Sequence, residues 1–260
     1  MNARAIKRAG AAMVGVAVLL PALAGCGGSS GSDNSQAATQ SGTNTFPQTS
    51  EPANLNPADF STQIDNPYFP LPVGARWEIR VTNQEGLVQH ETITVTDQTR
   101  KVADGVNTRV VRDVVREGGK VAEDTYDWYA QDSEGNVWYF GEDTADIDPK
   151  TGKRDTSGSF EAGANGADAG IAMLANPTAG QTYREEYYKG HAEDRSRILA
   201  LGQQAEVPFG HFGDVLLSED YSPIEPDVLE LKFYAKGIGQ VLAQTVSGGN
   251  EREELVSFSK

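Results

Sequence analysis

The sequence contains few of the residues that usually build a cross-linked or reactive site. Only one cysteine and three histidines occur among its 260 residues. A single cysteine excludes an intramolecular disulfide, and His90, His191 and His211 stand far from one another and from the cysteine, without the spacing of a metal motif. The folded part must therefore be stabilised by its core, and thiol chemistry is not expected there.

Basic residues and long apolar runs are also scarce. The run from Ala11 to Leu20 is ten residues long, whereas a membrane-spanning helix needs about 20 apolar residues. Three of the 22 Lys and Arg residues lie within the first 25 positions, which leaves 19 against 37 Asp and Glu residues and a net charge of about −18. Such a chain repels phosphates and anionic headgroups, so we expect no nucleic-acid partner.

The N-terminus has the layout of an export signal, in which Arg4, Lys7 and Arg8 precede the apolar run. The small residues that follow end in Leu23-Ala24-Gly25-Cys26, which resembles the lipobox of bacterial lipoproteins. The resemblance implies cleavage before Cys26, a diacylglyceryl group on its thiol, and fatty acylation, such as palmitate, of the new N-terminus. Acyl chains of this kind would anchor the protein in the cell membrane or the outer membrane, facing the extracytoplasmic side. The alternative is an ordinary secretory signal in which Cys26 is coincidental.

Composition divides the chain into three parts. Residues 1–25 are predicted to be the signal peptide, and residues 26–56 the lipidated cysteine with a flexible polar tether. The tether is rich in Gly, Ser, Thr, Gln and Asn and cannot bury enough apolar surface to fold. Residues 57–260 suffice for one domain with one core.

Hydrophobic residues within that domain mostly recur at every second position, which is typical of half-buried strands with one solvated face. The residues expected on buried faces are Ile93, Val95, Leu229, Leu231, Phe233, Val256 and Phe258. Turn signals between these runs come at short intervals. The pattern predicts an all-β domain, an antiparallel up-and-down meander forming a strongly curved sheet or partly closed barrel, with at most short helices.

Four segments are less regular. Arg109 to Arg116 has a helical spacing of apolar pairs, but its four valines favour a strand. Glu193 to Leu201 is compatible with either a short helix or a strand. We expect a helical turn between Ala53 and Phe60, and a loop from Gly163 to Pro177.

Aromatic residues concentrate in one predicted hairpin. Tyr126 and Trp128 share one face of the first strand, and Trp138 and Phe140 share one face of the second. These four residues are the candidate ligand-binding residues, for an apolar molecule or a sugar. The alternative interpretation is ordinary packing, because aromatic residues are common in the cores of small β domains.

Acidic residues follow this hairpin, and hard cations prefer carboxylate oxygens. Glu142, Asp143, Asp146 and Asp148 are therefore the candidate metal ligands. The run from Asp146 begins like a calcium loop, but Lys150 stands at a ligand position, and we expect neither a metal nor a cofactor. Paired acids also permit an alternative hypothesis of a carboxylate-dependent hydrolase.

Two further segments carry a wider resemblance. Asn66-Pro67-Tyr68-Phe69-Pro70-Leu71, with Gly74 and Trp77, and the later residues 234–241 (YAKGIGQV) resemble the opening and closing segments of a group of secreted β-rich bacterial proteins and lipoproteins. These motifs are structural and bring no catalytic residues. The predicted architecture is also similar to the curved, incompletely closed barrels of envelope lipoproteins that carry lipids or lipoproteins. We therefore expect a membrane-anchored extracytoplasmic lipoprotein that is not an enzyme and binds an apolar ligand or a partner protein.

Overall fold

The structure is a computed structural model that describes residues 46–148 and 150–260. Apart from a three-residue 3-10 turn at Pro57–Asp59, the regular elements of this part of the chain are strands. They are β1 (Phe60–Ser61), β2 (Arg76–Thr82), β3 (Val88–Lys101), β4 (Asn107–Glu117), β5 (Lys120–Asp132), β6 (Val137–Ile147), β7 (Arg154–Asp155), β8 (Phe160–Glu161), β9 (Asp168–Met173), β10 (Thr182–Arg184), β11 (Glu186–Tyr187), β12 (Arg195–Val207), β13 (Gly210–Ser222), β14 (Glu225–Ala235), β15 (Gly239–Ser247) and β16 (Arg252–Ser259). No helix in these two ranges has the length and hydropathy to cross a membrane.

The strands form one antiparallel sheet in the order β10-β12-β13-β14-β15-β16-β2-β3-β4-β5-β6-β9-β11. Hairpins connect β2 through β6 and β12 through β16, and the C-terminal β16 pairs with β2. The two ends of the sheet, β10 and β11, are separated in sequence by Glu185 alone. One kinked segment, residues 182–187, therefore supplies both terminal strands of the sheet and brings the sheet close to a closed barrel. The predicted all-β class, antiparallel meander and partly closed barrel are confirmed.

Glycine permits the close approach at which the sheet ends meet. Gly170 lies on β9 beside the kinked segment, and a Cβ added there would lie 2.3 Å from the carbonyl oxygen of Glu185. Any larger residue would push the segment away from β9. The predicted loop from Gly163 to Pro177 is wrong at this point, because β9 pairs with β6, with Gly170 opposite Tyr139.

The side chains that point into the barrel differ along its axis. The apolar half contains Trp77, Ile93, Val95, Val111, Tyr129, Leu216 and Leu255, each no more than 1 % exposed. The polar half contains Glu91, Asp113, Thr125, Asp127, Glu142, Thr144, Ser196, Asp220, Glu230, Lys232 and Glu253, each no more than 7 % exposed. The two halves meet where Ile93 on β3 lies opposite Asp113 on β4.

The segment before β2 covers the end of the barrel at the apolar half. The Asn66 side chain donates hydrogen bonds to the carbonyl oxygens of Gly135 and Leu174, each at 3.0 Å. The Phe69 ring lies 5.3 Å from that of Tyr129, measured between centroids. These partners lie on β5, in the turn between β5 and β6, and directly after β9, so the segment covers the end of the barrel beside these three neighbouring strands.

The opening and closing segments that carry the wider resemblance contact each other at this end. The backbone N–H of Gly237 donates to the carbonyl oxygen of Pro67 at 2.7 Å, and Trp77 Nε1 donates to the carbonyl oxygen of Ile238 at 2.9 Å. The two sequence motifs thus form the two sides of one closure.

Residues 46–56, which we expected in the tether, contact the domain. Arg184 is 1 % exposed, and its guanidinium donates to the carbonyl oxygens of Glu51 at 2.6 Å and Ala169 at 2.8 Å. The guanidinium also pairs with Asp168 at 3.0 Å, and the Arg184 backbone N–H donates to the Pro47 carbonyl oxygen at 2.8 Å. These bonds fix residues 47–51 where β9 and β10 meet.

The irregular segments resolve mostly into strands. Arg109 to Arg116 lies within β4, which confirms the strand. Glu193 to Leu201 contains the start of β12, so the strand alternative holds. The helical turn expected between Ala53 and Phe60 is the 3-10 turn at Pro57–Asp59, where the Asn56 side chain accepts a hydrogen bond from the Ala58 N–H.

The predicted orientation of β14 is wrong. Glu230, Lys232 and Tyr234 are buried, whereas the residues expected on the buried face, Leu229, Leu231 and Phe233, are only partly buried. The alternation of polar and apolar residues identified the two faces of the strand correctly, but it predicted that the polar face would be exposed to solvent. The barrel instead encloses the polar face of this strand.

The predicted orientation of Val256 is also wrong. Val256 is 42 % exposed, whereas its neighbour Leu255 is 1 % exposed. The pairing of β16 with β2 shifts register between Leu255 and Ser257, and this irregularity changes the face that each residue presents. Phe258 beyond the shift is partly buried, with its ring 5.0 Å from that of Trp77.

Candidate functional site

Buried ionisable residues lie in the polar half of the barrel. The first group, the lysine cluster, consists of Lys232, Asp220, Glu230 and Glu185. Lys232 Nζ contacts the Asp220 carboxylate and lies 3.6 Å from Glu230 Oε2. Asp220 on β13 faces Glu230 on β14, and Lys232 is two residues further along β14 on the same face. Alternation therefore places all three of these side chains inside the barrel.

Electrostatic interactions set the ionisation of this cluster. Burial lowers the pKa of Lys232, but the neighbouring carboxylates of Asp220 and Glu185 outweigh burial, so its pKa is well above the ordinary value. Burial and the charge of Asp220 raise the pKa of Glu185 well above its ordinary value, although Lys232 opposes them. Within the described part of the chain, Glu185 Oε2 has no hydrogen-bond partner. The lysine is thus a stable cation, and Glu185 holds a proton more readily than an exposed glutamate does.

Two tyrosines line the same cluster. Burial raises the pKa of Tyr183 and of Tyr234, and the charge of Glu185 acts in the same direction on both. Lys232 opposes this effect on Tyr234. Both phenols therefore keep their protons at neutral pH and act as neutral hydrogen-bonding groups.

The second group, the tyrosine triad, consists of Tyr139, Asp127 and Glu142. The Tyr139 hydroxyl lies 2.9 Å from Asp127 Oδ1 and 2.9 Å from Glu142 Oε2. Asp127 on β5 and Glu142 on β6 face each other across the strand pair. Gly141, which precedes Glu142, has a φ of 113°, and a Cβ at that position would lie 2.2 Å from the Phe160 carbonyl oxygen, so glycine is needed where β8 pairs with β6. The local irregularity directs both Tyr139 and Glu142 inward.

Tyr129 connects the two groups. Its ring lies 5.0 Å from the Tyr139 ring. Burial and the charges of Asp127, Glu142 and Asp113 raise the pKa of Tyr129, whereas the charge of Lys232 lowers it. Lys232 on β14 therefore acts electrostatically on β5, and the two groups belong to one interior.

Acids exceed bases in this buried environment. Among the described residues, the buried acids are Glu91, Asp113, Glu123, Asp127, Glu142, Glu185, Glu186, Asp194, Asp220, Glu230 and Glu253, and the buried bases are Arg109, Arg184 and Lys232. Arg109 donates to the carbonyl oxygens of Thr96 and Gln98, and Arg184 mainly to backbone carbonyls at the junction of β9 and β10. Because an uncompensated buried charge is costly, such a surplus favours protonation of some carboxyl groups.

The four aromatic ligand candidates lie on the outer side of the sheet. Trp128 is covered by Arg100, whose Cζ lies 4.0 Å from the ring centroid, and Phe140 by Phe60, with centroids 5.4 Å apart. Trp138 is 6 % exposed and donates its indole N–H to Asp132 at 2.8 Å. Tyr126 alone of the four is partly exposed, with the Arg112 guanidinium 5.4 Å from its ring centroid. The chain itself covers most of this surface.

The four metal-ligand candidates are not brought together. Glu142 points into the barrel, whereas Asp143 and Asp146 are exposed. Asp148 is exposed too and accepts hydrogen bonds from the backbone N–H groups of Lys150 and Thr151. Across residues 46–148 and 150–260, no group of three or more His, Cys, Asp or Glu side chains is arranged to hold a metal ion.

Comparisons with known proteins show only structural similarity at low sequence identity. The chain matches no protein family and none of the curated proteins. It is similar to the crystal structure of an exported protein with a YmcC-like fold from Bacteroides fragilis, at 14% identity and a TM-score of 0.46, covering 75% of this chain and 100% of that one. It is also similar to a lipoprotein from Parabacteroides distasonis, at 11% identity and a TM-score of 0.44, covering 76% of this chain and 100% of that one. At these values neither similarity transfers a function.

The sequence did not indicate the buried carboxylates as a site. Glu230 and Lys232 alternate with apolar residues, a pattern that usually marks the solvated face of a strand. One available signal was Tyr234, an aromatic residue that continues the same polar face. Cys26, the signal peptide and the first part of the predicted tether lie outside the described residues.

Proposed function

We propose that the protein is a lipid-anchored extracytoplasmic lipoprotein whose barrel domain is a non-catalytic binding module for a partner protein with a basic surface. The observation that carries the choice of partner is the packed interior. The inward side chains named above for the two halves are at most 7 % exposed. A packed barrel supports binding at the outer surface over carriage of an enclosed apolar ligand.

The interior chemistry supports the same choice. The apolar half is covered at its end by the Asn66–Leu71 segment, and the polar half is lined by carboxylates, which an apolar ligand would have to desolvate. The carboxylates that face one another, such as Asp127 and Glu142, are no more than 4 % exposed, so a substrate would not reach them as the chain stands. These features favour a binding role over the hydrolase hypothesis.

Charge indicates the kind of partner. The mature chain has a net charge of about −18, from 37 acidic residues and the 19 basic ones that remain after signal cleavage. A strongly acidic module attracts basic surfaces and repels acidic ones. Association should therefore weaken as salt is added, because ions screen exposed charges over about 8 Å at physiological ionic strength.

The anchor is tested by metabolic labelling with a fatty acid, comparing the full-length protein with its Cys26→Ala variant. We expect label and membrane association in the wild type and neither in the variant. Ser29→Ala, which leaves the lipobox intact, is the matched control and should be labelled like the wild type. Label that persists in Cys26→Ala would contradict the anchor.

The partner is tested by photo-crosslinking in cells and in membranes isolated from them. A photoreactive residue replaces Val246 or Val256, which are 46% and 42% exposed, so that the outer surface is sampled without disturbing the core. We expect a discrete protein adduct whose yield falls when salt is raised before irradiation of isolated membranes. Adducts with lipid alone at both positions would contradict a protein partner.

A further inference from the structure

The hydrogen bonds of the tyrosine triad require a proton that ionised carboxylates do not supply. A phenol carries one proton, so the Tyr139 hydroxyl can donate to only one of its two neighbours. The second contact, also at 2.9 Å, is a hydrogen bond only when the hydroxyl oxygen accepts from a protonated carboxyl group. Two ionised carboxylates facing each other across buried strands would also repel.

We propose that Asp127 and Glu142 hold one proton between them at neutral pH, and that the triad is a proton-binding switch between β5 and β6. With the proton present, Tyr139 donates to one carboxylate and accepts from the other carboxylic acid. When the proton leaves, one of these two hydrogen bonds is lost and two like charges face each other on adjacent strands. Rising pH therefore weakens the contact between these strands.

The groups around the triad favour retention of the proton. Glu186 on β11 adds negative charge at Tyr139. At the neighbouring Tyr129, Asp113 on β4 adds negative charge and Lys232 on β14 adds positive charge. Tyr129 lies beside the triad on β5, and the uncharged Phe160 of β8 packs against the Tyr139 ring at 5.7 Å. Burial and the neighbouring carboxylates raise the pKa of Tyr139 well above its ordinary value, so the phenol is not the group that ionises.

Infrared spectroscopy tests the proton directly. At pH 7 the wild-type protein should show the C=O stretching band of a protonated carboxyl group, and both Asp127→Asn and Glu142→Gln should lack this component. Glu185→Gln removes a different buried acid and should leave the component in place. A component that survives in both triad variants would overturn the proposal.

Proton linkage gives a second test. Above about pH 5 the unfolded chain releases the shared proton, so each further pH unit should raise the unfolding equilibrium constant tenfold on account of this site. Asp127→Asn or Glu142→Gln should remove that tenfold factor. Asp143→Asn, an exposed neighbour on β6, should keep it. Equal pH slopes in all four proteins would overturn the proposal.

If the triad variants do not fold, infrared spectroscopy of the isotope-labelled wild-type protein still tests the proposal. Isotope labelling of the Asp or Glu carboxyl groups shifts their infrared bands and can be performed on the wild-type protein. We expect a protonated-carboxyl band that shifts on labelling, is sensitive to solvent deuterium, and remains when Glu185 is replaced by glutamine. Carboxylate bands alone, at pH 7 and in both labelled samples, would overturn the proposal.

Discussion

Replacement of Lys232 by methionine should destabilise the domain strongly. The lysine Nζ contacts Asp220 and lies 3.6 Å from Glu230, and all three side chains are at most 3% exposed. Methionine has a similar length but leaves the carboxylates without their cation. Removing one partner of a buried ion pair typically costs about 3–5 kcal/mol. Because whole domains are stable by about 5–15 kcal/mol, this loss is a large fraction of the total.

Lys236→Met is the matched control for this prediction. Lys236 follows β14 directly and pairs with Asp214 at 3.0 Å, but both side chains are more than half exposed. Solvent screens such a pair, so we expect almost no change in stability. Urea unfolding of both variants, followed by tryptophan fluorescence, measures the difference. Equal unfolding midpoints for Lys232→Met and Lys236→Met would refute the assignment of Lys232 to a buried ion pair.

A double variant keeps the prediction testable if Lys232→Met does not fold. Asp220→Leu combined with Lys232→Met replaces the pair by apolar side chains, which is often neutral or stabilising. We expect the double variant to recover part of the lost stability. A double variant less stable than Lys232→Met would show that the two residues do not act as a pair.

Three further predictions concern the junction of β9 and β10, the covered end of the barrel and the pH response. Arg184→Met should leave the carbonyl oxygens at residues 49, 51 and 169 without their charged donor and cost about 1.5–3 kcal/mol locally, seen as faster amide exchange in residues 47–53. Asn66→Ala should cost about 1–3 kcal/mol in urea unfolding, because the buried Leu174 carbonyl oxygen and the partly buried Gly135 carbonyl oxygen lose their donor. Glu185→Gln should flatten the pH dependence of stability above about pH 4.5, because the raised pKa makes the folded state hold a proton that the unfolded state releases as pH rises.

Exposed substitutions serve as controls for these variants. Arg154→Met changes another arginine, and Gln63→Ala removes another side-chain amide. Both positions are exposed, so amide exchange and urea unfolding should stay unchanged. The role of Arg184 at the junction of β9 and β10 is refuted if Arg184→Met exchanges like wild type. The role of Asn66 at the covered end is refuted if Asn66→Ala unfolds at the wild-type urea concentration. For Glu185, a pH slope that is identical to wild type would show that the carboxyl group is ionised in the folded protein.

Local sequence patterns predicted the strand content well. The valines of Arg109 to Arg116 favoured a strand, and the structure places them in β4. Alternation along β5 and β6 also places Tyr129 and Tyr139 on the opposite face from Trp128, Trp138 and Phe140, and in the structure the two tyrosines pair inside the barrel. Both results depend on period and propensity over a few residues, which the sequence states directly.

Which face of a strand is enclosed could not be predicted in the same way. The sequence pattern around Glu230 and Lys232 is that of a solvated strand face. It does not show that Asp220 on β13 and Glu185 in the kinked segment lie next to Lys232 inside the barrel. Val256 was assigned to the wrong face because a register shift is a property of the pairing with β2. Which face of these strands is buried therefore depends on how the sheet closes, and the local alternation of residues does not determine it.

Native mass spectrometry of the mature protein, extracted gently from membranes, tests the central claim most directly. It reports both the covalent state of Cys26 and any molecule held by the domain. We predict the mass of the chain from Cys26 onward with its acyl groups and no retained apolar molecule. An unmodified Cys26, or an apolar molecule that stays bound after the detergent is removed, would contradict a lipid-anchored module with a packed interior.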